Sequence, residues 1–442
     1  MKQSILKISV FAVAFGLFTA CSNDDNIIVD DESIIEEPSD TDSEELEFKD
    51  MESDWVRLSL LTDDSIDLMQ ADSGEITYSV DAVFAEGESF YTTNSGRYLA
   101  AIDRAGGQVR FFDSGISNHE DHGHEYEAQW ASLEFSSLLP THYTGSEGDI
   151  VIFNDGAGSI VYVDEESLEI PSYQPEIFML ENTVAHHGAA VRLDNGMFVA
   201  TFKNTDEAGG IPQMVKFIDE EGTVIDDNGG IEVESIHGVA VNGDYGVFGS
   251  TDGIILVDTE TNIDLIENIE GLNGDSGNWL ASIKGHDESD HFFARAGNLG
   301  VYMIDPETKE LANIYSGDDV SGDLFNFDGH YYILYTSDNT IHVFDAETGT
   351  ELISRTVEIA NIPELANTTE ASNANALDED LSPVIVSSDK FLYILAPNRV
   401  QIKVLQIENL EHVHTIELET PVNNIKINGF SIEGDQDVEH DH

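Results

Sequence analysis

The decapeptide DGIILVDTET at 252–261 runs apolar for five residues, closes on aspartate and breaks into an acidic turn. The same figure recurs as GSIVYVDEES at 158–167, LGVYMIDPET at 299–308 and NTIHVFDAET at 339–348. Before each lies another short β-rich run: YGVFGST at 245–251, DIVIFND at 149–155, HFFARAG at 291–297 and YYILYTS at 331–337. Short Val/Ile/Tyr/Phe runs bounded by Gly, Asp and Asn read as strands. A recurrence every 40 to 50 residues, with about four strands per unit, predicts an all-β single β-propeller. Units fall near 75–113, 130–168, 184–226, 236–269, 279–315, 320–355 and 380–418, which makes seven blades. VRLSLLTDD at 56–64 is then a strand that pairs with the last blade and closes the ring, removing exposed sheet edges. PELANTTEASNANALDED, near 363–380, reads as a loop.

The chain divides into three parts. Lys2 and Lys7 precede an apolar run, Ile8 to Ala20, too short for a stable span. The run ends FTAC, which resembles a bacterial lipobox with Phe18 in place of the commoner leucine. Residues 1–20 are therefore expected to be a lipoprotein signal peptide and Cys21 the lipidation site. Cys21 is the single cysteine, which excludes an intramolecular disulfide, a cysteine zinc site and dithiol redox chemistry. Residues 22–54 hold eight Asp and seven Glu against one Lys without a periodic apolar face, so 21–54 reads as a lipidated acidic tether. SNDD after Cys21 resembles the acidic export signal of surface lipoproteins in Bacteroidetes. The expected location is the cell envelope, anchored to the outer membrane and facing periplasm or surface. Residues 55–442 form the propeller with a short acidic tail. The net charge of −69 argues against nucleic acid as a partner.

Histidines carry the functional signal. FFDSGISNHEDHGHE at 111–125 places His119, Asp121, His122 and His124 within six positions. Imidazole and carboxylate are both zinc ligands. The spacing fits a flexible collector of metal better than a fixed finger-type site. HHGAAVRLDNGMFVATF starts a unit with His186 and His187, and IHGVAVNGDYGVFGS starts the next with His237. Two consecutive His-Gly entries present His187 and His237 at equivalent points around the channel mouth. His286 occupies a comparable position in the following unit. His142, His330 and His342 lack acidic or imidazole company in register and read as structural or surface residues. His412 and His414 share a strand face, and His440 and His442 end the tail.

The acidic histidine loop, the His-Gly entries and the repeat pattern together resemble the AztD family of periplasmic zinc metallochaperones. That resemblance spans most of 75–420. It implies a β-propeller that binds zinc and hands it to the solute-binding protein of a zinc ABC importer. It also implies a mobile loop, here His119, Glu120, Asp121, His122 and His124, gathering metal near a tighter site at His187 and His237, with His186 beside them. The chain departs from the family in its lipid anchor and in lacking a cysteine near the His-Gly entries.

Three functions fit these residues. The first is a zinc-binding lipoprotein, not an enzyme, that delivers zinc to an importer's receptor. The second is a surface metal-binding or adhesive propeller without delivery. The third is a metal-dependent hydrolase, for which Asp113, Asp121 or Glu125 offers a base. The chain shows no serine elbow, HExxH helix or phosphate loop.

Overall fold

The computed structural model describes residues 48, 51–119, 122–219, 222–226, 230–361 and 381–431. Cys21, most of the tether, Glu120, Asp121, the 363–380 segment, His440 and His442 lie outside them.

The described residues form eight four-stranded antiparallel sheets and one two-stranded hairpin. Blades 2 to 8 span 89–136, 140–179, 190–226, 236–267, 280–316, 320–356 and 384–417. Blade 1 joins the chain ends. Strands Arg57–Leu61, Ser65–Gln70 and Ile76–Asp81 are completed by Asn424–Asn428, with Arg57 opposite Asn428 and Leu61 opposite Asn424. Ser59 Oγ donates to Asn428 Oδ1 at 2.6 Å, and Asn428 Nδ2 donates to the Gly96 carbonyl at 2.9 Å, so the seam is bonded inside blade 1 and on to blade 2.

The count of seven blades is thus corrected to eight. The eighth is spread over both termini, so no contiguous unit of sequence announces it. The segment at 56–64 is not one closing strand but the start of three. The unit expected near 75–113 straddles two blades: Ile76–Asp81 is the outer strand of blade 1, and blade 2 begins at Ser89. Its outer strand, Gln129–Ser136, follows a hairpin inserted after Asp113.

Packing follows from the geometry. The middle strands of a blade face neighbours on both sides, so they are continuous apolar runs. Every residue of Phe198–Phe202 and of Phe391–Leu395 is buried, whereas the outer strand Glu351–Thr356 is largely exposed. Cores form between adjacent blades: Ile254 and Leu256 pack with Phe292 and Ala294, and Phe293 stacks on Tyr332 at 4.2 Å. Each fully buried aromatic contributes about 1.5–3 kcal/mol through removal from water.

The aspartate of the repeated motif is a turn device. Asp258 Oδ1 accepts the N–H groups of Glu260 at 3.0 Å and Asn262 at 2.9 Å. Asp305 Oδ1 accepts those of Glu307 at 3.0 Å and Thr308 at 2.9 Å. Asp345 Oδ1 accepts that of Thr348 at 2.7 Å. A short carboxylate satisfying N–H groups two to four residues on ends the third strand of the blade and starts the return.

The innermost strands, which come first in each blade except that Asn424–Asn428 serves blade 1, contact one another between several neighbouring blades and ring the axis. They all run the same way, so the molecule has an entry mouth, where they begin, and an exit mouth, where they end. In an antiparallel blade, turns between second and third strands lie at the entry mouth, and turns between first and second, or third and fourth, lie at the exit mouth.

Candidate metal centre

Three imidazoles meet at the entry mouth. His142 is in the innermost strand of blade 3, Pro140–Ser146. His187 precedes the innermost strand of blade 4, Ala190–Arg192. His237 is the second residue of the innermost strand of blade 5, Ile236–Val241. Register breaks between Pro140 and His142 and between Ile236 and Val239 bulge two of these strands at the histidine. A bulge re-aims the side chain it carries.

The His142 and His187 Nε2 atoms lie 3.3 Å apart, and the ligand atoms of all three residues lie within 4.8 Å of one another. Ring centroids are 4.8 Å apart for His142–His187, 5.3 Å for His187–His237 and 5.8 Å for His142–His237. A tetrahedral ion with nitrogen ligands at about 2.0–2.1 Å sets them about 3.3 Å apart. One pair has that spacing already, and small ring rotations bring in the third.

The opposite ring edges fix the tautomers. His187 Nδ1 donates to Asp155 Oδ2 at 2.8 Å, and His237 Nδ1 donates to the Ala281 carbonyl at 2.9 Å. Each ring therefore turns a bare Nε2 lone pair inward, as metal-binding histidines do. Burial, and then the neighbouring His187 and His237, lower the His142 pKa to about 4, so it is a neutral ligand at physiological pH. In the metal-free site, His142 Nε2–H can donate across the 3.3 Å gap to the bare His187 Nε2, and a metal ion takes the place of that shared proton. The donor set fits a nitrogen-seeking metal with one position left open.

The two His-Gly pairs need glycine for different reasons. Gly238 has φ +85°, and a Cβ there would stand 2.5 Å from the Ala281 carbonyl oxygen that holds His237. At Gly188 a Cβ would stand 2.4 Å from Thr201 Oγ1 and 2.6 Å from both His186 Nε2 and the Phe153 ring.

Asp155 sits in the turn between the second and third strands of blade 3. Its Oδ2 also receives Arg104 at 2.8 Å, and its Oδ1 receives the Gly188 N–H at 3.3 Å. Burial would raise this carboxyl, but the hydrogen bonds from His187 and Arg104 outweigh it and hold the pKa below the ordinary value.

Other histidines are placed elsewhere. His186 is buried, its Nδ1 donating to the Val184 carbonyl at 2.7 Å and its Nε2 3.1 Å from the Thr201 hydroxyl. His286 donates from Nε2 to the Phe327 carbonyl at 3.0 Å and accepts the Glu288 N–H at Nδ1 at 3.1 Å. Both nitrogens of each ring are thus engaged. His330 pairs with Asp328 at 3.0 Å, His342 with Glu351 at 2.8 Å, and His414 stacks on Phe48 at 5.5 Å.

His119, His122 and His124 lie on a two-stranded hairpin, Ile116–His119 with His122–Glu125. It interrupts the step from third to fourth strand in blade 2, which places it at the exit mouth. The structure therefore does not bring it together with His187 and His237. At Gly123 a Cβ would stand 2.4 Å from the Trp55 ring, and Glu125 pairs with buried Arg57 at 3.1 Å, so the hairpin rests on the segment entering blade 1.

The exit mouth is acidic. A cavity of about 1030 Å³ is lined by Glu147, Asp149, Glu165, Asp287 and Asp389 among others. Asp287, from the first turn of blade 6, crosses to accept Asn94 of blade 2 at 2.6 Å and the Ser146 hydroxyl and Glu147 N–H of blade 3 at 2.7 and 2.8 Å. Burial raises the Glu165 pKa, opposed by hydrogen bonds from Ser95 and Thr93.

His142 is the candidate ligand that sequence reasoning missed. Its strand, PTHYTGS, has no glycine after the histidine, and the unit drawn from residue 130 placed it inside a blade. The true boundary, at Pro140, puts it at a blade entry like His237. Among the described residues, His142, His187 and His237 are a group able to hold a metal ion.

Fold and site together define an eight-bladed propeller with a three-histidine mouth. Apo AztD from Citrobacter koseri superposes over 86% of this chain and 99% of its own, with a TM-score of 0.70 at 20% identity. A crystal structure of Citrobacter koseri AztD does so over 85% and 98%, with TM-score 0.70 and 20% identity. The dihydro-heme d1 dehydrogenase NirN, in complex with DHE, covers 84% of this chain and 75% of its own at TM-score 0.54 and 12% identity. At these identities the likeness is one of fold. No protein-family model matches the chain, and no curated protein matches it by sequence.

Proposed function

We propose that this protein is a zinc-binding lipoprotein, a metallochaperone that holds zinc at the entry mouth and delivers it to the solute-binding protein of an ABC importer. The observation that carries the reading is the convergence of ring nitrogens of His142, His187 and His237, two of the rings oriented by Nδ1 partners. All-nitrogen ligation favours zinc over calcium or magnesium, which take oxygen shells. Three ligands leave the fourth position for water or for a ligand of the receiving protein, which is what exchange requires. The likeness in fold to AztD agrees with the resemblance read from the sequence. Zinc here is cargo, and the role is binding and hand-over without turnover of a substrate.

The signal at 1–20, Cys21 and the acidic tether anchor the propeller to the outer membrane in this reading. His119, His122 and His124, on the exit-mouth hairpin, serve together with Asp121 as a separate collector, and His186 and His286 hold the loops beside the two mouths. Mixing zinc-loaded protein with an apo receptor tests delivery. Transfer faster than release to a chelator is expected. Transfer that never outruns passive release leaves a surface metal-binding propeller without a delivery role.

A further inference from the structure

Asp155 Oδ2 serves two donors at once, the His187 Nδ1–H and the Arg104 guanidinium, each at 2.8 Å. The three residues come from three blades. Arg104 lies in the turn after strand Tyr98–Asp103 of blade 2, Asp155 in the matching turn of blade 3, and His187 at the entry of blade 4. The carboxylate is buried at 5% exposure, while Arg104 is 48% exposed and further held by the Thr141 hydroxyl at 2.9 Å. Oδ1 of Asp155 receives the Gly188 N–H, at 3.3 Å.

The two donors act oppositely on the metal site. A carboxylate accepting Nδ1–H pushes electron density through the ring and makes Nε2 a better donor. A guanidinium on the same oxygen withdraws part of that charge. We propose that Arg104 and Asp155 are positioning residues that set how tightly His187 holds metal, Asp155 strengthening the bond and Arg104 weakening it so that the ion can leave. Arg104 is reachable from solvent at the entry mouth, so an incoming carboxylate that engages it alters the hold on the ion. The inference rests on the proposed metal site.

The two substitutions therefore have opposite signs. Asp155→Asn keeps an oxygen for Gly188 but can turn an amide N–H toward His187, driving the imidazole proton to Nε2 and blocking the ligand lone pair. Zinc affinity should fall about 10- to 100-fold, with faster dissociation. Arg104→Met keeps much of the side-chain volume and removes the charge. Affinity should rise and dissociation slow, by about 3- to 10-fold given partial screening of an exposed cation. Arg104→Lys should return toward wild type.

The experiment measures zinc dissociation rate and affinity by chelator competition in wild type, D155N, R104M and R104K. Metal-free melting temperatures confirm that each variant folds. Opposite displacement of D155N and R104M supports the proposal. If both weaken zinc, the pair is merely a brace and the proposal is overturned, as it is if neither moves. Wild type binding no zinc, or His187→Ala binding as wild type does, overturns the metal site itself.

Discussion

At the entry mouth, three imidazoles from blades 3, 4 and 5 crowd together, two of them with the proton-bearing edge tied outward. At the exit mouth, carboxylates of blades 3, 6 and 8 line a cavity, and Asp287 ties blade 6 to blades 2 and 3. Strands of one blade, the third, serve both mouths, with His142 at one end and Glu147 and Asp149 at the other. The difference lies in what their ends require. Exit turns are closed by acidic side chains that accept turn N–H groups, so acid accumulates there for reasons of folding. At the entry mouth, bulged strand starts turn histidines to the axis, and no turn needs them. Convergent groups without a local structural duty are the stronger sign of function. That is why the triad outranks the more numerous carboxylates.

The largest effect expected is on zinc. His187→Ala or His237→Ala should weaken the tightest site by on the order of 100-fold or more in calorimetric titration, since each removes one of three ligands. Deleting the hairpin from Ile116 to Glu125 should leave that affinity within about twofold, because the hairpin stands at the other mouth. A deletion that abolishes tight binding would merge the two regions into one site and break the contrast.

Next is Gly238→Ala. The left-handed backbone and the approach to Ala281 should cost about 1–3 kcal/mol in chemical unfolding. Zinc affinity should fall with it, because the displaced carbonyl orients His237. A variant as stable as wild type would remove the account of the His-Gly entry.

The smallest effect is on pH dependence without metal, and the mouths should differ in sign. His142 has a folded pKa near 4 against an ordinary value of 6.5, so the unfolded chain binds the proton first. Its contribution is intact above about pH 6.5 and is lost as pH falls toward 4. Glu165 is raised above its ordinary 4.5, so its contribution is intact below that value and is lost as pH rises through its folded pKa. In melting curves with chelator present, His142→Phe should lessen acid lability and Glu165→Gln should stabilise at neutral pH. If the slope of stability against pH shifts in the same direction in both variants, the two mouths are not electrostatically distinct.

The propeller was legible because the strand-Asp-turn motif reports a local device, a carboxylate capping its own turn. The blade number was not, because the closing blade joins residues 57–81 to 424–428 and has no local signature. The same reasoning divides the site. His187 and His237 were visible through the glycines beside them. His142 lacks that neighbour and became interpretable only when Pro140 was seen to open a blade. His186 and His286 look like ligands in the sequence, but both ring nitrogens of each are taken by neighbouring groups. The hairpin's opposite placement depends on a count of strands through blade 2, which spacing alone does not supply.

The most direct test is a zinc-loaded crystal structure with anomalous data on both sides of the zinc edge. The account predicts a peak at the entry mouth, about 2.0–2.1 Å from the Nε2 atoms of His142, His187 and His237, with Asp155 still bonded to His187 Nδ1. A peak held by the hairpin or the acidic cavity, with no zinc among the three histidines, would contradict it.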